Sequence, residues 1–540
     1  MDELNPTQIA ERLHLLTELS VALGTTPDLG VLLERILTVA KSMTGADGGT
    51  LYRPSADGNS LCFHISINDS LGIYQGGASG QAINIPSVPL VDAQGNQNLA
   101  SVAAYAANRR QSVNIEDVYE ADAFNFSGMR SFDAAFNYHS QSFLTVPMTN
   151  HEGELIGVLQ LINAKDAASG RIRAFSATDQ RFIEALAAQA AVAITNGQLL
   201  LQLEQLLEAL VNLINIGIDE KSPYTGRHCQ FVPELTMMLA EAVHAVETGP
   251  MAEFRMTEAD RKELWLAGLL HDCGKITTPV HVVDKATKMQ TIYDRIHMLD
   301  TRFEVLLRDA EIRALRAQAG ADAQAVAAIG AQLAAEQAQL RDDREFLRVA
   351  NVGGEGMALA DQERVRQIAR YRWVGVDGSE QDFLNEEEVG NLTIRFGTLT
   401  DLERKIINNH IVVTIRMLES LPWPKHLQNV PEYAGGHHER MDGKGYPRGL
   451  TRAQMSVQAR VMAIADIFEA LTARDRPYKK GKLLSESLNI LGKFALNGHI
   501  DPDLFDIFIR SKTYLEFAHK NMDERQIDFI DEALIPGYVP

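Results

Sequence analysis

The stretch ELWLAGLLHDCGK, residues 263–275, joins an amphipathic helix to a polar end that carries two metal-binding side chains. Its apolar residues recur with the period of an α-helix, and His271 and Asp272 follow where that period stops. Imidazole and carboxylate groups are ligands of iron, manganese, zinc, nickel and cobalt. Because an adjacent His-Asp pair also arises by chance, its meaning depends on what lies further along the chain.

Further histidines and carboxylates occur in the same helical part of the sequence. His228 lies one and a half turns into a predicted helix, His410 ends the run DLERKIINNH, and His437 and His438 precede MDGKGYP. Asp466 lies in the apolar helix ARVMAIADIFEAL, where an unpaired carboxylate is costly and favours a nearby cation. Together these positions provide five histidines and two aspartates, more than one ion takes while keeping an open position. The set is typical of two metal ions about 3.5–4 Å apart that share a carboxylate.

These residues give the second half of the chain a resemblance to the HD-GYP phosphodiesterases, a branch of the HD phosphohydrolases. The resemblance rests on His271-Asp272-x-Gly-Lys275 and on HHERMDGKGYP at 437–447, and it covers about 215–295 and 392–520. The family hydrolyses cyclic di-GMP to pGpG or GMP. It implies an all-α HD-GYP domain with two divalent metal ions, iron or manganese first, with nickel and cobalt as alternatives.

The resemblance also implies a role for each matching residue. The implied metal ligands are His228, His271, Asp272, His410, His437, His438 and Asp466. Asp272 matches the carboxylate that bridges the metals, and Lys275 matches a lysine near the hydroxide and the scissile phosphate. These two are the expected catalytic residues. Some family members hold a third metal through a glutamate where this chain has Tyr224, which favours two metals here.

Substrate binding is implied for Lys275, Tyr446, Arg476 and Lys479. An arginine can grip a phosphate with two hydrogen bonds, whereas a lysine acts as a point charge. The alternative for Arg476 and Lys479 is an ordinary solvated surface. Tyr446 either contacts a guanine or anchors its loop, and that loop is also a candidate site for a protein partner.

The N-terminal part has the order of elements found in an α+β sensor domain. Two helices are predicted within 7–44, followed by strand-like runs at 48–54, 61–67, 142–148 and 154–164. A helix is predicted near 98–110. This layout resembles a GAF domain, which implies regulation of the second half and leaves open whether a small molecule binds. The alternative is a dimerisation platform without a ligand.

A long helix is predicted from about Ser176 to Asp219, with a heptad seam of Leu200, Leu203, Leu207, Leu210 and Ile214. It either packs on its own domain or forms a coiled coil that makes the protein a homodimer. The predicted domains are a GAF-like sensor at 1–175, a linking helix at 176–220 and an HD-GYP domain at 221–540. A helical hairpin is predicted as an insertion at about 293–390.

Composition excludes several classes of function. The chain has 51 Lys and Arg against 71 Asp and Glu, a net charge of −20, and no basic arm or helix-turn-helix signature for DNA. Three dispersed cysteines imply no disulfide framework and fit a reducing cytoplasm. The N-terminus lacks the regions of a signal peptide, and no apolar run approaches the ~18–20 residues of a membrane span. A cytoplasmic protein is therefore expected.

These patterns predict a GAF–HD-GYP enzyme that hydrolyses cyclic di-GMP under control of its N-terminal domain. One alternative is a phosphodiesterase for another cyclic dinucleotide. The other is a receptor or scaffold that binds metal and cyclic di-GMP and turns over little. The complete ligand set favours an enzyme, since a receptor has no chemical need for seven ligands.

Overall fold

The computed structural model describes residues 29–92, 94–221, 227–354, 356–474 and 481–540, together with Ala10, His14, Leu15 and Thr17. The chain divides into two units, Met1–Leu207 and Glu208–Pro540. Most of the first predicted helix, Tyr224, Arg476 and Lys479 lie outside the described residues. The division falls inside the long helix that the sequence assigns to a linker, and the predicted domain limits stay a prediction.

An antiparallel β-sheet forms the middle of the first unit. Its main path has the order β3-β2-β1-β7-β6-β5, and β4 and β8 add to β2 and β7. The strands are β1 (Ala46–Pro54), β2 (Ser60–Asn68), β3 (Ile73–Gly76), β4 (Val88–Pro89), β5 (Val113–Ile115), β6 (Phe143–Thr149), β7 (Leu155–Lys165) and β8 (Ile172–Arg173). Four of them overlap the short strand-like runs predicted from the sequence, which confirms an α+β domain.

The two faces of this sheet have different surroundings because successive side chains point to opposite sides of a strand. Leu51, Ile65 and Leu159 belong to a buried cluster with the helix Leu29–Thr44 and with the start of the helix Ala177–Lys221. The opposite face lies beneath the helices Val102–Arg109 and Ser127–Phe136.

The helix Ala177–Lys221 is apolar along much of its length yet largely exposed. Its exposed apolar residues include Leu199, Leu200, Leu201, Leu203, Leu206, Leu210, Leu213 and Ile216. By length and composition alone, this helix is apolar enough to cross a membrane, whereas the sequence led us to expect no run of that kind. The core helix of a soluble protein can have the same length and composition.

The second unit is predominantly helical, as predicted. The helix His228–His244 contacts four others within this unit: Glu258–Leu270, Val457–Thr472, Pro502–Arg510 and Thr513–Asn521. The remaining helices are Val280–Val283, Ile296–Gln318, Ala323–Asn351, Leu359–Ala369, Glu386–Leu392, Asp401–Glu419, Val430–Gly435 and Leu484–Leu496. A small hairpin of β9 (Arg372–Val374) and β10 (Glu380–Asp382) lies between them.

The helices Ile296–Gln318 and Ala323–Asn351 pack on each other where the sequence predicts a helix pair. They share a separate buried core with residues of the following segments, including Phe303, Leu347 and Phe383. Asp322 caps the second helix by accepting a hydrogen bond from the backbone of Ala325 at 2.8 Å. The helix pair is therefore stabilised by its own apolar core and by this cap.

Candidate metal centre

The His-Asp pair of the opening stretch lies at the end of a well-defined helix. Thr257 begins the helix Glu258–Leu270 with a capping box, which satisfies backbone donors at the helix start. His271 and Asp272 follow the last helical residue, and the chain then continues as a 3₁₀ turn at Cys273–Thr277. Both side chains are buried, with at most 2% of either residue exposed.

A glycine allows this turn to lie directly against the helix that carries His410. A Cβ atom at Gly274 would lie 2.0 Å from the carbonyl oxygen of His410, so a larger residue does not fit there. The Gly274 backbone N–H donates a hydrogen bond to Thr414 Oγ1 at 2.9 Å. The glycine of the HD motif thus brings Asp272 beside the helix Asp401–Glu419.

The other predicted ligands come from three further segments. His228 is the first residue of its helix, and Asp466 lies in the middle of Val457–Thr472. His437 and His438 follow a short helix. The structure therefore brings all seven predicted ligands together from positions as far apart as 228 and 466.

Three of the histidines are oriented by their own backbone. In each, Nδ1 donates to the carbonyl oxygen three residues earlier. The pairs are His271 with Gly268 at 2.7 Å, His410 with Ile407 at 2.6 Å, and His437 with Ala434 at 2.6 Å. A proton held on Nδ1 leaves Nε2 as a lone-pair donor, which is how metal-binding histidines are commonly fixed.

The inward-facing atoms place acceptors opposite acceptors. His410 Nε2 lies 3.2 Å from Asp272 Oδ1 and 3.2 Å from His438 Nε2. His271 Nε2 lies 3.3 Å from Asp272 Oδ2. Lone pairs at such distances repel one another unless a proton or a metal ion lies between them. The donor chemistry therefore fits divalent metal ions.

Two buried polar atoms give the same indication. His437 Nε2 and Asp272 Oδ1 have no hydrogen bond among the described residues. Such atoms are costly unless something else satisfies them. Three groups of three ligands have donor atoms within 4.8 Å of one another: His228, His271 and Asp466; His271, Asp272 and His437; and His410, His437 and His438.

Burial keeps two of these histidines uncharged. It lowers the pKa of His438 to about 4, and it holds the pKa of His437 well below the ordinary value, with the neighbouring His438 and His271 adding to the effect. A histidine must be neutral to bind a metal. Both imidazoles are therefore in the ligating form at neutral pH.

The two aspartates are held in the charged form. Burial raises the pKa of Asp272, but Lys275 and His271 outweigh it and bring that pKa well below the ordinary value. His228 does the same for Asp466. For His228 itself, burial lowers the pKa, and the carboxylates around it raise the pKa well above the usual range.

Lys275 and Tyr446, which are predicted to act in catalysis and substrate binding, lie at two different places in the site. Lys275 Nζ lies 2.5 Å from Asp272 Oδ2, so its charge is inside the ligand cluster. The Tyr446 ring stacks on His438 with ring centroids 4.9 Å apart and an angle of 21° between planes. Tyr446 thus supports a ligand and also faces the mouth of the site.

That mouth is a cavity of about 480 Å³ beside the ligands. Its lining includes His438, Tyr446, Arg440, Lys444 and His499. The Arg440 guanidinium pairs with Asp442, and Lys444 is largely exposed. Both basic side chains lie beside the Asp442 carboxylate, Arg440 at 2.8 Å and Lys444 at 3.8 Å.

Sequence reasoning missed Glu469, which lies one turn after Asp466 on the same helix. Its Oε2 accepts a hydrogen bond from His228 Nδ1 at 2.5 Å, and only 3% of the residue is exposed. The carboxylate therefore fixes His228 with Nε2 turned toward the other ligands. The spacing of three residues from a buried aspartate was the available signal, because such residues share a helix face.

Glu439 was also missed, although it lies inside the quoted motif. Its two carboxylate oxygens accept hydrogen bonds from the backbone N–H groups of Arg448, at 2.7 Å, and Leu450, at 2.9 Å. These bonds tie the end of the glycine-rich loop back to its beginning. The residue thus positions the loop that carries Tyr446.

Replacing Glu469 should weaken the site without dismantling it. We expect Glu469→Gln to reduce metal affinity about 10–100-fold, because the amide no longer supplies the charge that orients and polarises His228. Metal titration of the purified variant, followed by elemental analysis, measures this. The matched control is Glu263→Gln, another buried glutamate, which accepts hydrogen bonds from Asn429. Equal metal affinity in the two variants would show that Glu469 has no such role.

Comparison with known proteins identifies the types of domain. A GAF domain family model matches residues 28–194. Two HD domain models match residues 225–314 and 387–504. The chain therefore carries a GAF domain followed by a largely helical HD region, which confirms the two domain types expected from the sequence.

The chain is similar to curated phosphodiesterases over part of its length. It is 46% identical over 90 residues to the 3′3′-cGAMP-specific phosphodiesterase 1 of Vibrio cholerae, covering 16% of this chain and 21% of that protein. It is 39% identical over 115 residues to a cyclic di-GMP phosphodiesterase of Pseudomonas aeruginosa, covering 21% and 27%. For a cyclic di-GMP phosphodiesterase of Thermotoga maritima, the identity is 33% over 200 residues, covering 33% and 52%. The chain thus spans from about a fifth to half of these relatives.

Solved structures similar to part of the chain include GAF domains. One is the GAF domain of an Acinetobacter phosphoenolpyruvate-protein phosphotransferase, with 16% identity and a TM-score of 0.26. That match covers 35% of this chain and 96% of the other.

Proposed function

We propose that this chain, in which a GAF domain precedes an HD region, is a cyclic di-GMP phosphodiesterase of the HD-GYP type. The observation that carries the proposal is the convergence of five histidines and two aspartates, with lone pairs facing one another, beside an open cavity. The names of the relatives from Pseudomonas and Thermotoga support the choice of substrate.

The site is proposed to hold two divalent ions, iron or manganese first, with nickel and cobalt as alternatives. Metal ions in such a site lower the pKa of bound water and polarise the phosphoryl group. The chain's own residues would hold those ions through the seven ligands, with Asp272 between the two halves of the set. The ammonium group of Lys275 lies directly beside Asp272, inside the ligand cluster. A phosphate bound at that cluster would therefore have a positive charge nearby to stabilise the negative charge that develops on it.

Substrate binding is proposed for Lys275, Tyr446, Arg476 and Lys479. Tyr446 is stacked on His438 by one face, which favours the loop-anchoring role and leaves the rest of the ring for the cavity. Arg440 and Lys444 were not predicted and line the same cavity. They are suited to attract the phosphates of a cyclic dinucleotide.

A second candidate function is hydrolysis of 3′3′-cGAMP. The relative from Vibrio cholerae that is 46% identical to this chain has that specificity. The two substrates differ in one base, so the discrimination depends on groups that contact the base and not on the metal ligands. A receptor with little turnover is the third candidate, and it predicts nucleotide binding without product.

The test is hydrolysis by the purified full-length chain loaded with iron(II) or manganese(II). Cyclic di-GMP and 3′3′-cGAMP are supplied separately, products are resolved by chromatography, and metal content is measured in the same sample. We expect cyclic di-GMP to be hydrolysed to pGpG or GMP with the higher kcat/KM and about two metals per chain. A higher kcat/KM for 3′3′-cGAMP selects the second candidate. Bound nucleotide without product in either metal selects the receptor.

The long helix is proposed to make the protein a homodimer and to connect the GAF domain with the HD region. Its leucines follow a heptad pattern, and several are more than half exposed, including Leu200 at 65% and Leu203 at 60%. A parallel coiled coil would bury them. We propose a cytoplasmic enzyme whose GAF domain regulates hydrolysis, with the glycine-rich loop as a candidate site for a protein partner.

Charges on the seam should separate the protomers. We expect the double substitution Leu203→Glu/Leu210→Glu to convert a dimer into a monomer at micromolar concentration, because like charges would then face each other in the seam. Sedimentation equilibrium measures the mass. The matched control places the same charges at Gln198 and Gln202, which are polar in the native chain. A native chain that is monomeric, or a double variant that remains dimeric, would disprove the coiled coil.

A further inference from the structure

The long helix Ala177–Lys221 ends in contact with the turn that follows the His-Asp pair. Its last residue, Lys221, directs its ammonium group to the 3₁₀ turn Cys273–Thr277. The ammonium donates hydrogen bonds to the carbonyl oxygens of Lys275, at 3.3 Å, and of Ile276. Lys221 and the turn both belong to the second unit. The end of the helix therefore binds a main-chain segment that begins more than fifty residues further along the chain.

The same turn carries Lys275 into the ligand cluster. Lys275 Nζ lies 2.5 Å from Asp272 Oδ2, and 19% of the lysine side chain is exposed. The Lys275 N–H donates to the carbonyl oxygen of Asp272 at 2.9 Å, and the Thr278 N–H donates to the carbonyl oxygen of Lys275 at 3.0 Å. Lys221 thus holds the main chain from which the Lys275 side chain extends. A displacement of those carbonyl groups would also displace the Lys275 ammonium.

The turn is held from two sides. On one side, Gly274 lies against the helix Asp401–Glu419, and its N–H donates to Thr414 Oγ1 at 2.9 Å. Both residues of this first anchor are buried. The second anchor is Lys221, which belongs to a helix that continues into the first unit. The second anchor is therefore the one that a displacement of the long helix would move.

Lys221 is placed as a structural contact and not as a freely moving surface lysine. Ile218 lies three residues earlier on the same face of the helix and is only 2% exposed, so this face is covered near its end. An ammonium group has three donors and no acceptor, which matches it to carbonyl oxygens. Hydrogen bonds from a charged donor are roughly twice as strong as neutral ones, so this contact can hold a short turn.

We propose that Lys221 is a positioning residue of the metal centre, which couples the end of the long helix to the turn that places Lys275 beside Asp272. A shift or rotation of the helix would then reach the Lys275 ammonium without movement of the helices that carry the other predicted ligands. This inference rests on the proposed phosphodiesterase function and adds the contact through which the GAF domain would regulate it.

The kinetic test uses the full-length chain loaded with manganese(II). Lys221→Met removes the donors and keeps an unbranched side chain. We expect kcat for cyclic di-GMP to fall about tenfold, with KM within about twofold and metal content unchanged, because Lys275 acts on charge that develops in the transition state. Lys221→Arg also donates to carbonyl oxygens and should restore most of the activity. Lys405→Met makes the same charge change at an exposed lysine and should leave kcat unaltered.

Hydrogen exchange tests the contact independently of hydrolysis. In Lys221→Met, we expect the N–H groups of Lys275 and Thr278 to exchange about tenfold faster, while exchange in the helix Asp401–Glu419 stays at the native rate. Lys221→Arg should return the turn to the native rate.

Unchanged exchange at the turn in Lys221→Met would overturn the proposal. So would a native kcat in that variant, or a loss of kcat that Lys221→Arg does not relieve. A native chain that binds metal but hydrolyses no cyclic dinucleotide would refute the proposed function instead. In that case, the exchange rates would still decide whether Lys221 holds the turn.

Discussion

Asp272→Asn should abolish phosphodiester hydrolysis by the full-length chain, with kcat/KM reduced at least about a thousandfold. Both oxygens of this carboxylate face predicted ligands, although Oδ1 has no hydrogen bond among the described residues. Oδ1 faces His410 at 3.2 Å, and Oδ2 lies 2.5 Å from Lys275 and 2.9 Å from His228. An asparagine keeps the shape but removes the charge and turns an N–H group toward one of these partners. Loss of several kcal/mol of charge stabilisation corresponds to a rate effect of this order.

The measurement is kcat/KM for cyclic di-GMP with metal content in the same sample, in which we expect fewer than two metals per chain. The matched control is Asp343→Asn, a buried aspartate in the helix Ala323–Asn351 that pairs with Arg364 and Tyr371. That change should reduce stability and leave metal content and turnover per folded chain unaltered. Asp272→Asn protein with two metals and turnover within tenfold of the native chain would refute the bridging role.

Removal of metal should stop catalysis completely and reversibly. We expect a chelator-treated chain, verified as metal-free by elemental analysis, to regain activity with iron(II) or manganese(II). Magnesium should not restore it, because that ion prefers oxygen ligands and this site is dominated by imidazole nitrogen. Metal at a hundred times its Kd stabilises a folded protein by about 2.7 kcal/mol, which corresponds to roughly 2–4 °C in Tm for a domain of this size.

Asp272→Asn protein provides the control for this experiment as well. Its Tm should respond less to added manganese(II) than that of the native chain, because one shared ligand is missing. Full activity in protein shown to be metal-free would disprove the metal mechanism. Equal recovery with magnesium would instead contradict the ligand chemistry, since an imidazole-rich site disfavours that ion.

The residues that converge at the candidate metal centre could be picked out because each combines a reactive residue type with a recognisable local context. His271 and Asp272 end an amphipathic helix, and Asp466 interrupts an apolar one. The periodicity does not show that these side chains lie close together in space. Their proximity depends on the close contact of Gly274 with the helix Asp401–Glu419. Glu469 was not predicted, because the role of a single carboxylate on a helix becomes clear only when its partner, His228, is known.

The sheet of the GAF domain was predictable from short strand-like runs, as β1 and β7 show. A cavity of about 600 Å³ on one face of this sheet was not predictable, because its lining comes from strands, two short helices and connecting segments that are distant in sequence. No linear pattern in the sequence expresses it.

The order of the ligands along the chain has a consequence for the timing of biosynthesis. About 140 residues separate Asp272 from His410, and much of that stretch forms a region with its own apolar core. At about 5–20 residues per second, His228, His271 and Asp272 leave the ribosome roughly 7–28 seconds before His410, the first of the other four predicted ligands. During that interval only an incomplete set of donors exists. A metal pair that needs all seven predicted ligands would therefore form only after Asp466 has been made.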